Sequence, residues 1–259
     1  MQLPPILRQP AVQIIGEKCY VSLVENLNLL NDTECIKYSI SKGLGLGIVL
    51  GGSIVKIPQI LTILKNRSAA GLSLSSYIIE TLSYFITLAY NMRQGNPFST
   101  YGEMMFIVIQ NIVIISLMFV YSRQHASLLI TLLGLGAAFY VLNNQKLVSA
   151  VLMSSLLALT IPLNLSSKIP QIQTNFKNKS TGQLSVFTVV NYFAGSAARV
   201  FTNMTEVGDP LIMLGGVGAT VLNGILLLQV IMYWNDKKNL STAAVATTAA
   251  AQRKSRKAD

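Results

Sequence analysis

The sequence predicts an all-α integral membrane protein of seven transmembrane helices, arranged as two parallel three-helix repeats joined by a linker helix (3+1+3). Three observations predict it. Of 259 residues, 51% are hydrophobic and only 12% are charged, about half the roughly 25% charged residues of an average soluble chain. The apolar residues fall in blocks close to the roughly 20 residues that a bilayer-spanning helix needs. An 18-residue stretch of the first half, KIPQILTILKNRSAAGLS, returns in the second as KIPQIQTNFKNKSTGQLS.

The elements follow in order. Residues 1–42 read as a segment outside the membrane. Its start, MQLPPILRQPAVQII, carries Pro4, Pro5 and Pro10 inside its apolar run and no small-residue cleavage site. It is not expected to be a signal peptide, which leaves targeting to the first membrane helix. Over 17–30, Tyr20, Leu23, Val24, Leu27 and Leu30 share one helical face, the pattern of a helix lying in the membrane interface. The chain's two cysteines, Cys19 and Cys35, both lie in this segment. An oxidising compartment would allow a disulfide between them and a reducing one would leave two free thiols.

Spans are expected at 43–64, 73–93, 101–122, 126–143, 147–176, 185–204 and 212–234, the fourth short and Gly-rich, the fifth bent or broken by Pro162 and Pro170. This divides the chain into a first repeat over 43–122, a linker helix in 123–146 and a second repeat over 147–235. A basic tail, 236–259, rich in Ala, Thr and Ser, is expected to be disordered. The net charge of +10 is a topology signal. Eleven basic residues, among them Lys65, Arg67, Arg123, Lys177 and Lys179, sit in the tail and in the loops after spans 1, 3 and 5, against six on the other side. Because positive loops stay inside, the C-terminus is expected in the cytosol and the N-terminus in a lumen. No nucleic-acid partner is expected, since the basic residues are not interleaved with stacking aromatics.

The repeat has a constant spacing of 112 residues, from Lys56 to Lys168, and includes Pro58/Pro170, Gln59/Gln171, Lys65/Lys177 and Asn66/Asn178. Weaker matches extend it to Asn111/Asn223. An even number of spans separates corresponding helices, so the two copies point the same way across the membrane. Proline has no amide hydrogen, so Pro58 and Pro170 leave the carbonyls of Ile54 and Ser166 without helical partners and permit a bend. Gln59 and Gln171 supply amides able to satisfy the freed backbone or to reach another helix. A pair matched in this way favours hinges over two static kinks.

Ionisable groups at depth are functional hypotheses by default. Lys56 lies eight residues before the end of span 1 and Glu80 seven residues into span 2, roughly 12 and 10 Å from the same surface at about 1.5 Å per residue. They should form an ion pair. In the second copy Tyr192 answers Glu80, so Lys168 lacks an acid and either snorkels to the headgroups or receives an anionic ligand such as a lipid phosphate. Arg199 is expected to find Glu206, Asp209 or lipid phosphates. Asn111 and Asn223 can offer donors and acceptors to a sugar hydroxyl or to a neighbouring helix; Gln110 and Asn191 are further cavity candidates. No catalytic constellation is expected: Glu80 and Glu103 fall near opposite faces, His125 has no partner, and the glycines of GLGLG sit in a span, where they allow close helix packing. There is no metal-ligand cluster. Of six N-x-S/T sequons, Asn31 is the one comfortably placed for lumenal glycosylation.

The doubled KIPQ with its following loop resembles the PQ-loop proteins, whose fold is shared with the SWEET sugar transporters, and the resemblance covers nearly all of 40–235. EKCY (17–20), SKGLGLGIVLGGSIVKIPQ (41–59), SAAGLSL (68–74), NPFSTYGE (96–103), STGQLSVFTV (180–189), GSAARVFT (195–202) and GDPL (208–211) are similar to the mannose-P-dolichol utilization defect family. That resemblance implies a multi-pass endoplasmic-reticulum protein needed for the use of dolichol-P-mannose and dolichol-P-glucose in glycan synthesis, with no enzymatic activity and no cofactor. Its partners would be these lipid-linked sugars, membrane lipids and glycosyltransferases. It leaves open a carrier or scramblase, a non-transporting scaffold, and a small-solute transporter of the SWEET type.

Overall fold

The structure is a computed structural model and describes residues 4–28, 31–181 and 186–233. The regular elements among the described residues are helical. They are α1 (Pro5–Tyr20), a π-helical turn (Val21–Glu25), α2 (Thr33–Ile54), α3 (Ile57–Asn66), α4 (Leu74–Gln94), a 3₁₀ turn (Phe98–Thr100), α5 (Gly102–Tyr121), α6 (His125–Asn143), α7 (Ala150–Ser166), α8 (Ile169–Asn178), α9 (Val186–Glu206) and α10 (Pro210–Met232). Among the described residues, five helical stretches are long and apolar enough to cross a membrane: Thr33–Asn66, Gly102–Tyr121, His125–Asn143, Ala150–Asn178 and Pro210–Met232. The more polar α4 and α9 have 21 residues each, about 31 Å of helix against a hydrocarbon core of roughly 30 Å. Large apolar side chains point outward, among them Leu133, Val151 and Phe187 at 65%, 78% and 77% exposure. Water would penalise that surface, whereas lipid tails solvate it.

Local chemistry sets the helix ends. The Asp32 carboxylate accepts from the Cys35 N–H (3.1 Å) to cap α2, and Ser73 caps α4 through the Ser76 N–H. Asp209 accepts from the Leu211 and Ile212 amides (2.8 and 3.1 Å) at the start of α10. Both Pro–Gln pairs sit in the first turn of a helix, α3 and α8, where a missing amide hydrogen removes no bond. After those helices the chain turns through Arg67 and Lys179, both left-handed with φ of 47° and 46°. Two non-glycine residues in this uncommon conformation, 112 positions apart, show that the repeat extends to backbone geometry.

Two expectations change at the N-terminal end. The helix placed at 17–30 instead starts at Pro5, tolerates Pro10, kinks at Gly16 (φ 79°) and ends as a π-helical turn at Glu25. The first long apolar helix begins at Thr33, ten residues before the expected 43, because the polar run TECIKYSISK lowers hydropathy without breaking the helix. The break expected in 147–176 is found at residues 167–168, before Pro170, and span 43–64 is interrupted likewise at residues 55–56; Pro162 lies inside an unbroken α7. The remaining helices lie within two residues of their expected starts and ends. The residues 236–259, expected to be a disordered tail, lie outside the described residues.

Packing divides the chain into two compact units, residues 1–160 with 198–213, and residues 161–197 with 214 onward, so that α7, α9 and α10 each contribute to both. In the first unit, Phe85, Leu88, Val108, Ile115, Phe119 and Leu135 join α4, α5 and α6, with the Phe85 and Phe139 rings 4.9 Å apart. Ile63, Ile114 and Met118 fix α3 to α5. Two glycines on one face of α2 permit its approach to α5 and the preceding turn. A Cβ on Gly45 would lie 2.7 Å from the Ser99 carbonyl oxygen, and one on Gly52 2.4 Å from Glu103 Cβ, whereas Gly43, Gly47 and Gly51 face open space. Gly52→Ala is therefore expected to lower stability by about 1–3 kcal/mol through overpacking, and Gly51→Ala by much less, in thermal unfolding of the detergent-solubilised protein. In the second unit, Val189, Leu226 and Val230 pack with Ile172 across α8, α9 and α10.

Candidate functional site

The broken helix α2–α3 supplies the first half of the candidate site. Within a continuous helix the Lys56 N–H would bond to the Gly52 carbonyl four residues earlier. Here the Gln110 side chain from α5 lies between them. Its Oε1 accepts from the Lys56 N–H (2.8 Å), and its Nε2 donates to the Gly52 carbonyl (2.8 Å) and to the Phe106 carbonyl (3.0 Å). The Lys56 N–H and the Gly52 carbonyl, separated at the break, are thus both satisfied by Gln110. Gln110 is buried, and its amide is engaged on both sides of the break.

Beside the break, Lys56 Nζ donates to Glu80 Oε2 (2.6 Å) and lies 4.9 Å from the centre of the Tyr77 ring. Asn111, with no exposed surface, donates to the same Glu80 oxygen (3.3 Å), while its own Oδ1 has no protein partner. Lys56, Glu80 and Asn111 therefore form one cluster joining the break to α4 and α5.

The second unit repeats the arrangement with different chemistry. Its helix breaks at Lys168, whose N–H donates to the Leu165 carbonyl (3.1 Å); Leu222 occupies the position matching Gln110. Lys168 Nζ stands 4.8 Å from the centre of the Tyr192 ring, so the aromatic residue matching Glu80 receives the cation through its π face. Asn223 donates to the Tyr192 carbonyl (3.0 Å) and to Ser196 Oγ (3.1 Å), and its Oδ1 also lacks a protein partner. Asn111 and Asn223 thus each reach the same matched position, 80 or 192, and tie the third helix of a repeat to the second. Gln171 is exposed and Gln59 half-buried. Asn191, exposed, donates only to the Phe187 carbonyl of its own helix.

A buried ionic network lies elsewhere in the first unit. Glu206 has a fully buried side chain and accepts from Ser41 Oγ (2.5 Å), Lys42 Nζ (2.6 Å) and Ser99 Oγ (2.7 Å). Arg199 pairs with Glu103 and donates to the Ser99 carbonyl (2.9 Å). Of the expected partners of Arg199, Glu206 pairs directly with Lys42 but its charge also acts on Arg199, and Asp209 accepts from the Tyr90 hydroxyl (2.6 Å). Two cations and two carboxylates balance in this network, as burial requires. Sequence reading missed it because Lys42 had been assigned to the segment before the membrane. Cys19 and Cys35 are joined as a disulfide, and Asn31 is exposed in the loop before α2. Among the described residues no group of His, Cys, Asp or Glu is placed to hold a metal ion.

The PQ loop repeat family matches the chain twice, over residues 40–100 and 152–212. The two matches stand at the same 112-residue spacing as the sequence repeat, and each contains most of one broken helix and all of the helix after it. A human protein, solute carrier family 66 member 3, is 27% identical over 179 residues, which cover 69% of this chain and 87% of that protein.

Proposed function

As a PQ-loop membrane protein related to solute carrier family 66, this chain, we propose, moves or presents a lipid-linked sugar in the endoplasmic-reticulum membrane. The cargo in this reading is dolichol-P-mannose and dolichol-P-glucose, supplied to the glycosyltransferases that build lipid-linked oligosaccharide and related glycans. The observation that carries a moving part is the matched interruption at Lys56 and Lys168, directly before Pro58–Gln59 and Pro170–Gln171. One helix of each repeat is divided, and in the first the division is held open by a side chain from another helix. The identity of the cargo rests on the similarity of the quoted motifs to the mannose-P-dolichol utilization defect family. The protein acts as a carrier or scramblase, and the chemistry of sugar transfer belongs to its partners.

The proposed membrane arrangement counts α2–α3, α4, α5, α6, α7–α8, α9 and α10 as seven spans in a 3+1+3 order, with the N-terminus lumenal and the C-terminus cytosolic. Under it Asn31 is glycosylated, while Asn66 and Asn178, in the cytosolic loops, are not. Sequon-by-sequon Asn→Gln substitution with a gel-shift readout checks this, and modification at Asn66 or Asn178 inverts the topology.

A scaffold reading is favoured by one specific observation: the amide nitrogens of Asn111 and Asn223 donate within their own repeats, the role of helix glue. The two readings separate in liposomes containing the purified full chain and labelled dolichol-P-mannose. Carrier action accelerates its transbilayer movement. If neither that lipid nor a free sugar or amino acid moves faster than in empty liposomes, both the scramblase and the small-solute reading fail and the scaffold stands.

A further inference from the structure

The geometry points to a binding site for the phosphate of an anionic membrane lipid in the groove between α1, the start of α2 and the end of α9, with Lys18 and Lys37 holding the phosphate. The groove has a volume of about 630 Å³. Lys18 comes from the last turns of α1, Lys37 from the first turns of α2, and both are exposed. Phe201 and Met204, from the last turns of α9, supply an apolar wall; Met204 is 64% exposed. A wall of apolar side chains beside a pair of ammonium groups matches a lipid at the bilayer surface, acyl chain on one side and headgroup on the other.

Most of the nearby acids are engaged with other groups. Arg8 takes Glu17 and Glu25. Asp32 caps α2, and the Ser22 hydroxyl (2.6 Å), the Cys35 N–H and, to a smaller extent, the charge of Lys18 hold its carboxyl below the usual carboxylate range. Glu34 is the acid that lines the groove, so the lining itself carries two cations and one carboxylate, with Asp32 close enough to Lys18 to feel its charge. The Cys19–Cys35 disulfide also lines the groove and joins the two helices that carry the lysines. That link fixes the cationic walls before any lipid arrives, which lowers the entropy lost on binding. The site requires that the chain sit in a membrane, and it stands whether or not the cargo is a lipid-linked sugar.

The test uses the purified full chain in phosphatidylcholine nanodiscs doped with a photo-crosslinkable phosphatidic acid, the attachment sites being mapped by mass spectrometry. Label is expected on the segment containing Phe201 and Met204, displaced by unlabelled phosphatidic acid but not by inorganic phosphate. Lys18→Gln with Lys37→Gln should weaken labelling about 30-fold, taking roughly a fivefold effect for each cation beside an anionic headgroup, and Glu34→Gln should strengthen it about fivefold on the same basis. The Glu34 variant decides the matter even if the double variant folds poorly. Labelling unchanged in both variants would mean ordinary boundary lipid and overturns the proposal. Displacement by inorganic phosphate would mean a free-anion site and overturns it equally.

Discussion

Glu206→Ala is expected to destabilise the protein by about 3–5 kcal/mol, because it strands a buried cation. The Glu206 carboxylate is fully buried, and it neutralises Lys42, whose side chain is only 12% exposed. Without it, Lys42 keeps the Ser99 hydroxyl (3.0 Å) and the face of Tyr38 at 5.2 Å, neither of which carries a negative charge. The hydroxyls of Ser41 and Ser99 lose their acceptor at the same time. In thermal unfolding of the detergent-solubilised protein the midpoint should fall on the order of 10 °C. Replacing both charges, Lys42→Met with Glu206→Leu, should recover most of the loss, because the penalty lies in the unpaired charge and not in the absence of the pair. If Glu206→Ala unfolds at the parent temperature, the network does not bind α2 to α9 in the way described.

The repeat was legible in the sequence because it is a matter of spacing. The same 112-residue offset that aligns KIPQ with KIPQ recurs in the two breaks and in the left-handed turns at Arg67 and Lys179. The Lys56–Glu80 pair was legible because both residues lie in consecutive helices at countable depth. The partner of Arg199 was not, since Glu103 is 96 positions away in another helix and no local rule brings them together. The Lys42–Glu206 pair was not legible for a different reason: hydropathy locates the apolar middle of a helix, and α2 extends ten residues beyond it into polar sequence. The role of Gln110 was hidden by its type. A glutamine in an apolar helix suggests a ligand as readily as a structural plug, and only the positions of Gly52 and Lys56 decide between them.

That plug carries the second large expected effect. Gln110→Met keeps nearly the same side-chain length and removes the amide, leaving the Lys56 N–H and the Gly52 carbonyl without the partner that now joins them. At roughly 1–3 kcal/mol for each stranded group, the loss of stability should be about 3 kcal/mol. The second repeat shows how such a break survives without an amide. With Leu222 at the matched position, its Lys168 N–H turns to the Leu165 carbonyl. The first repeat can adopt that solution only by tightening the end of α2, which would move Lys56 relative to Glu80. Hydrogen exchange distinguishes this from simple loss of packing, because the Lys56 amide should exchange markedly faster in Gln110→Met while the Lys168 amide is unchanged. Equal protection of Lys56 in parent and variant would show that the break is maintained by Pro58 and the surrounding helices alone. In that case the two repeats would differ in sequence at this position but not in how their broken helices are held.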